Sequence, residues 1–301
     1  KQPYAFISTF EINMKYFFIF PFFFIMSFGQ DNAISIRDYY HYSLHDIETL
    51  ESTITFGLGS LKLSANQKSN QIDGSIYYSS QLGKPLVSMK RSNGDGSFEF
   101  DFDREGIDVD FSLLKWDFDL DDVKNEMEFQ FPSKISTDLE LEFGLGEAKI
   151  DLTHISISEF DLECGLSEVD VFVSKPNNRL CDKVSIEIGM ADFNSHGLGN
   201  LNSEDFSIDV GLGDANIDLT GSFFQDADVD INVGLGSLNL VLPKNANVKL
   251  SVDHSFLASV DVNDLLKKGE NAYESIDWDH NLPKIDIEIS VGLGDVDVRV
   301  E

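Results

Sequence analysis

The chain has 301 residues, a formal net charge of −31 and 42% hydrophobic residues. Such acidity excludes nucleic acid and anionic lipid surfaces as partners, because basic patches hold both. The apolar content excludes a disordered chain, and the length suits an extended stack of repeats better than one compact core.

Residues 1–29 read as a segment upstream of the folded chain. Met14-Lys15 is the expected start: a short cationic beginning, an apolar run over 16–26 and Ser27-Phe28-Gly29 before Gln30 form a secretory signal peptide. The run falls short of the ~20 residues of a membrane span, with an uncleaved anchor as the alternative. The Ser-Phe-Gly-Gln junction resembles signal peptides of the Bacteroidota group, which implies an exported protein in the periplasm or on the surface of a Gram-negative bacterium. No cysteine stands near the junction, which disfavours a lipid anchor, and no further transmembrane segment is expected.

Residues 30–142 read as an N-terminal β region. A first Gly-Leu-Gly unit occupies residues 53–63, and 72–78, 86–90, 98–102 and 127–131 alternate as strands do. Asn93-Gly94-Asp95-Gly96 predicts a hairpin turn between the middle two. Asp95, Asp101 and Asp103 lack the twelve-residue spacing of an EF-hand loop and read as part of a plain hairpin.

From 143 to 301 one unit recurs: an alternating apolar strand, a Gly-Leu-Gly corner and a second alternating strand. Corners stand at Gly144, Gly211, Gly234 and Gly292, with a degraded copy at Gly165, where Ser167 replaces the second glycine, and blurred copies at Gly189 and Phe256. From 144 to 256 the spacings are 21, 24, 22, 23 and 22 residues, a repeat of about 22. Alternation sends Ile208, Val210, Ile217 and Leu219 to one face and Asp209, Asn216 and Asp218 to the other, so the inside is aliphatic and the outside acidic. The residue between the glycines, Leu at 58, 145, 166, 212, 235 and 293, is expected to stack as an apolar row. One such unit buries too little to offset its own ordering, so the copies must stack. The predicted fold is all-β, a parallel β-helix-like solenoid, with a sandwich of hairpins as its rival. Gly197-Leu198-Gly199 lacks alternating flanks and reads as a connection.

An insertion at 263–283 stretches the last interval to 36 residues. Residues 264–269 read as one helical turn stopped by Gly269. Tyr273, Trp278 and His280 follow on a projecting loop, either as a grip for a sugar or protein partner or as a lid over the last coil. The final strand is expected to leave an open solenoid edge, defended by Asp295, Asp297 and Arg299 or extended by a partner strand.

Residues that would carry catalysis do not assemble in the sequence. There is no Gly-x-Ser-x-Gly elbow and no phosphate loop, and no cofactor or metal is implied. His41 and His45 read as a surface pair. The outer rows of Asp209, Asp218, Asp230 and Asp297 would attract diffuse counter-ions, with specific calcium binding as the alternative. Cys164 is in register with inward Phe160 and Leu162 and reads as a buried thiol, Cys181 lies in a connection, and a bridge between them is the other possibility.

Phe56-Gly-Leu-Gly-Ser-Leu-Lys-Leu, Asn125-Glu-Met-Glu-Phe with Pro132, Leu141-Glu-Phe-Gly-Leu-Gly-Glu-Ala-Lys-Ile-Asp-Leu, Val233-Gly-Leu-Gly-Ser-Leu-Asn-Leu and Val291-Gly-Leu-Gly-Asp-Val-Asp-Val succeed one another over residues 50–301. In order and spacing they resemble the toast-rack and LiaF-like domains of bacterial envelope proteins, related to adhesin-type β-solenoids. The resemblance implies a right-handed, all-β, non-enzymatic envelope domain. The expected function is an exported, envelope-associated structural or adhesin-like binding module with an envelope protein or glycan as partner. Two alternatives are a carbohydrate-active β-helix enzyme, a polysaccharide lyase or hydrolase, and an ectodomain-like partner in envelope stress sensing.

Overall fold

Strict alternation of apolar and polar residues makes a strand with one buried and one exposed face, and the computed structural model is built from such strands. It describes residues 34–68, 70–80, 83–102, 125–255 and 257–301, which lie in a single unit. The signal-peptide reading of 14–30 and the corner position Phe256 fall outside these residues.

The first six strands are β1 (Ser35–Ser43), β2 (Thr49–Asn66), β3 (Gln71–Ser79), β4 (Leu86–Ser92), β5 (Asp95–Phe102) and β6 (Glu126–Pro132). Three long bent strands come next: β7 (Ser136–Asp151), β8 (Ser156–Phe172) and β9 (Cys181–His196). Then come β10 (Ser203–Leu212), β11 (Ala215–Asp218), β12 (Ala227–Leu235), β13 (Leu238–Leu242), β14 (Asn247–His254) and β15 (Ser259–Val262). The last four are β16 (Leu265–Lys267), β17 (Ala272–Ser275), β18 (Lys284–Leu293) and β19 (Asp295–Val300). The four strands expected in the N-terminal region are β3 to β6. Asn93 and Gly94, with φ of 53° and 93°, make the tight turn of the antiparallel β4–β5 hairpin.

Each layer has two arms joined at the corner, and each arm pairs in parallel with the same arm of the next layer. Leu162 of β8 pairs with Ile186 of β9, Ile186 with Ile208 of β10, and Ile208 with Ile231 of β12. On the second arm, Ile217 of β11 pairs with Leu240 of β13 and Leu240 with Val298 of β19. These are solenoid ladders rather than hairpins of a sandwich. The inward residues of both arms, such as Ile208, Val210, Ile217 and Leu219, are at most 2% exposed and join one continuous core. Gly197-Leu198-Gly199 lies in the connection, where Leu198–Leu201 form a 3₁₀ turn with both leucines buried.

The second glycine of the corner is fixed by stacking. Gly236 and Gly294 have φ of 154° and 146°, and a Cβ on either would lie 1.7 Å from the carbonyl oxygen of the glycine one layer below. Only a residue without a side chain lets successive backbones approach this closely.

At both ends the layers depart from chain order. β18 pairs with β12 on one edge and with β14 on the other, and β19 likewise sits between β13 and β15. The Gly292 unit, expected at an open edge, is therefore an interior layer, and β14–β15 cover it. Asp297 accordingly faces Asn239 on one side and Asp261 on the other instead of defending an edge. The 36-residue interval is the length of chain needed to return one layer inward. Within it, the expected helical turn is instead strand β16, which pairs with β17, and β17 pairs antiparallel with β14. Asp264, with φ of 63°, turns the chain ahead of β16 in place of a helix.

The other end repeats the device. The first arm of β2 pairs with β7 on one edge and β5 on the other, and its second arm with β7 and β6. Antiparallel β4 then covers β5, and antiparallel β3 covers β6, with β1 beyond it. The Gly57 unit is thus also an interior layer, and the β5–β6 layer directly on it comes from later in the chain.

Candidate functional site

Tyr273 is not on a free loop: it lies on β17 opposite Leu250, half-buried, with the Lys267 ammonium 5.6 Å from its ring centroid. Trp278 is also half-buried, beneath Lys249 at 5.7 Å, whereas His280 is exposed. Buried Asn247 anchors this segment, donating from Nδ2 to the carbonyls of Asp279 and Leu282 at 2.7 and 3.0 Å and accepting from the Asp279 N–H at 2.9 Å. The two aromatic rings therefore fold against the last layer under lysines, and His280 is the one member of the predicted trio that is exposed.

Parallel register turns the outward residues of the first arm into rows. One runs Glu51, Asp138, Glu159, Lys183, Asp205, Asp228, and a second runs Glu142, Glu163, Glu187, Asp209, Asn232. Neighbouring strands lie ~4.8 Å apart, so like charges repel along a row. Partial burial pushes the Asp138 carboxyl up to about 6, with Glu159 and Glu51 next in importance. Burial also raises Glu163, reinforced by Glu142 and Glu187, and raises Asp161 against the opposing pull of Lys183. Among the described residues no group of three or more His, Cys, Asp or Glu side chains is placed to hold a metal ion. In the outer aspartate rows, where diffuse counter-ions are expected and specific calcium is the alternative, Asp209 accepts from the Asn232 amide and Asp218 from the backbone of Gly197 and Thr220.

On the second arm, asparagines interrupt the charge. Asn239 donates to Asn216, Asn216 to Asn194 and Asn194 to Asp170, at 2.8, 2.8 and 3.2 Å. This ladder escaped the sequence reading, although Asn at one register position in three consecutive layers is its signal.

The corner residues do form an apolar row. Leu58 pairs with Leu145, Leu145 with Leu166, Leu166 with Met190, Met190 with Leu212, Leu212 with Leu235 and Leu235 with Leu293. The row faces solvent: its five members from Leu166 to Leu293 are between 40 and 49% exposed. Periodicity alone could not show this, because a corner residue belongs to neither face of either strand.

Cys164 and Cys181 are both buried and free. Cys164 sits at the corner end of its arm opposite Ile188, and Cys181 opens β9 opposite Ser203, so Cys181 is a strand residue and not part of a connection. Burial pushes their thiols up to about 11 and about 12. His41 is exposed and meets Asp73 at 2.6 Å, while His45 lines a separate cleft of about 410 Å³ with Lys68 and Lys134.

The family described as "N-terminal domain of toast_rack, DUF2154" matches residues 29–196, and "Cell wall-active antibiotics response LiaF, C-terminal" matches 192–298. Among solved structures, the chain is similar to a "putative cell adhesion protein" from Clostridium sporogenes, with 20% identity and a TM-score of 0.46 over 89% of this chain and 100% of that one. It is also similar to a "putative adhesin" from Bacteroides fragilis, with 13% identity and a TM-score of 0.39 over 88% and 97%. A third is a "putative lipid binding protein" from Parabacteroides distasonis, with 9% identity and a TM-score of 0.33 over 87% and 96%. No curated protein matches the sequence.

Proposed function

Because this chain belongs to the toast-rack family, its N-terminal domain matching over residues 29–196, we propose that it is a non-enzymatic binding module exported to the bacterial cell envelope. One observation carries this reading: the outer surface bears long, in-register rows, one set dominated by carboxylates and one, at the corner, wholly apolar. The first-arm carboxylates and the corner leucines each continue from layer to layer. Such a surface offers many equivalent contacts along a line, which suits an extended partner. Acid–base catalysis instead needs a few convergent groups with separated pKa values.

The match of residues 192–298 to the LiaF C-terminal family supports a second reading, an ectodomain that takes part in envelope stress sensing. Both readings begin with a binding step; in the second, that step also changes a signal.

The test is co-sedimentation of the full chain with envelope fractions and with acidic and neutral polysaccharides, with absorbance at 235 nm recorded throughout. Saturable binding at constant absorbance is expected, and its loss in Trp278→Ala would assign the segment after β17 to the contact. A rise at 235 nm, the mark of a newly formed unsaturated sugar, would replace this reading with a lyase.

A further inference from the structure

The turn itself does not demand an apolar residue at the middle of each corner. The bend is made by the flanking glycines, and where those are altered, at Ser167 and Ala191, the middle residue remains Leu166 or Met190. Polar side chains would serve a solvent-facing corner equally well, yet every layer from Leu58 to Leu293 carries an apolar one. At the corresponding turn of the cover layer, Leu257 is 58% exposed. Seven rungs at ~4.8 Å give a row about 29 Å long. Leu58 and Leu145 are partly buried and the five members from Leu166 to Leu293 are 40–49% exposed, so the row presents an apolar patch on the order of a few hundred Å², the size of the largest patch on a typical monomer and often a functional one.

The surroundings of the row restrict what can cover it. Carboxylates border it on both sides: Glu142, Glu163, Glu187 and Asp209 before the corner, and Glu147, Glu168 and Asp192 after it. An anionic membrane, or a second copy laid row against row, would bring like charge to like charge. The corner backbone is already committed: Gly213 N–H donates to the Leu235 carbonyl at 3.1 Å and Gly236 N–H to that of Leu293 at 3.0 Å. A partner cannot add a strand here and must bind through side chains. Same-face residues of an extended peptide recur every ~6.8 Å, a poor match to rungs at ~4.8 Å, whereas successive turns of an α-helix rise ~5.4 Å.

From these constraints we propose that the Leu58–Leu293 corner row is the docking surface for an amphipathic α-helix of a partner polypeptide, with an apolar stripe flanked on both sides by Lys or Arg. A helix of about 20 residues spans the row. Its stripe packs on the leucines, and its cations reach Glu187 and Asp209 on one side and Glu168 and Asp192 on the other. The proposal deepens the binding-module reading and rests on it.

The probe is a fluorescently labelled 20-residue synthetic peptide with Leu at i, i+3, i+4, i+7 spacing and Lys or Arg elsewhere, titrated with the full chain and followed by anisotropy and by the peptide's helical circular dichroism. Two comparison peptides keep the composition with leucines scattered around the helix, or replace the basic residues by Glu. The expected result is micromolar binding with a gain in helicity, at least tenfold weaker for both comparison peptides and for the variant Met190→Ser/Leu212→Ser/Leu235→Ser. Single Leu212→Ser, expected to lose about threefold, replaces the triple variant if that variant does not keep the wild-type melting curve. Equal affinity for the scattered peptide would reduce the effect to diffuse attraction by an acidic protein and overturn the proposal. So would an unchanged affinity in the serine variants, or leucine-dependent sedimentation with phosphatidylglycerol vesicles instead of peptide binding. Envelope co-sedimentation separates the two levels. If it persists while peptide binding is absent, the row proposal falls and the module stands; if both are absent, the module reading falls as well.

Discussion

At one end of the stack the Gly57 unit lies under a cover built from phenylalanine, while at the other the Gly292 unit lies under valine and leucine. Phe98 and Phe100 of β5 meet Phe129 of β6 edge-to-face at 5.8 and 5.1 Å, and antiparallel strands cover both arms. The β14–β15 cover instead presents Val248, Leu250 and Val252, and its first arm is covered by β17, held through Asn247. The same topological device is therefore finished with two chemistries, and the corners record the difference. A Cβ on Gly59 would meet the carbonyl oxygen of Asn125, a residue of the cover, at 2.6 Å, whereas one on Gly294 would meet Gly236 of the regular stack at 1.7 Å. Gly294→Ala is thus expected to destabilise by more than about 4 kcal/mol, since a Cβ would overlap the carbonyl oxygen at 1.7 Å, and Gly59→Ala by about 2–3 kcal/mol, since the overlap at 2.6 Å is shallower. Chemical denaturation of the two variants side by side measures the contrast, and equal losses would mean that the two ends are equally rigid.

The buried asparagines sharpen the same comparison at lower energy. Asn247 engages three backbone groups, whereas Asn125 donates one bond, to the Leu58 carbonyl at 3.0 Å, and its Oδ1 has no partner among the described residues. Asn247→Ala leaves two carbonyls and an N–H to find water and should cost about 2–3 kcal/mol. Asn125→Ala loses one bond but also removes an orphaned oxygen, for about 1 kcal/mol. Hydrogen exchange should show the first loss concentrated at residues 272–283. A uniform loss across the stack would show that Asn247 does more than hold that segment.

The strands, the corners and the inward and outward faces were legible in the sequence because each is a local property of one layer: two-residue alternation and glycine at a fixed offset. The order of layers at the ends was not. Ile231 presents the same pattern whether its next neighbour is Ile289, as found, or Val252, which comes first in the chain. Nothing in one parallel strand names its partner when all strands of the array share a pattern. The segment at Leu265–Lys267 was misread as a helical turn for a related reason, since its strand state comes from the edge of β17 and not from its own residues. Tyr273 and Trp278 were recognisable as aromatics in an insertion, but the lysines that cover them, Lys267 and Lys249, come partly from another strand.

The smallest contrast lies in the carboxylate rows. Asp138, beside β2, is surrounded by Glu159, Glu51, Glu140 and Asp161, and burial is the largest cause of its rise from 3.8 to about 6. A carboxyl whose folded pKa exceeds its unfolded value binds its proton more tightly in the native state. Its contribution therefore favours folding as pH falls from above 6 toward 4 and is lost as pH rises through about 6. The group is partly solvated and screened, so the effect is modest: a melting temperature about 1–3 °C higher at pH 5 than at pH 7.5. Asp138→Asn should melt above wild type at pH 7.5 and show a smaller change between the two pH values. At the other end Asp286 occupies the same row but pairs with Lys284, so Asp286→Asn relieves no such crowding and should not raise the melting temperature. If both asparagine variants stabilise equally, the repulsion belongs to the net charge of the whole chain, and the local crowding of Asp138 by Glu51 and Glu159 has no separate effect.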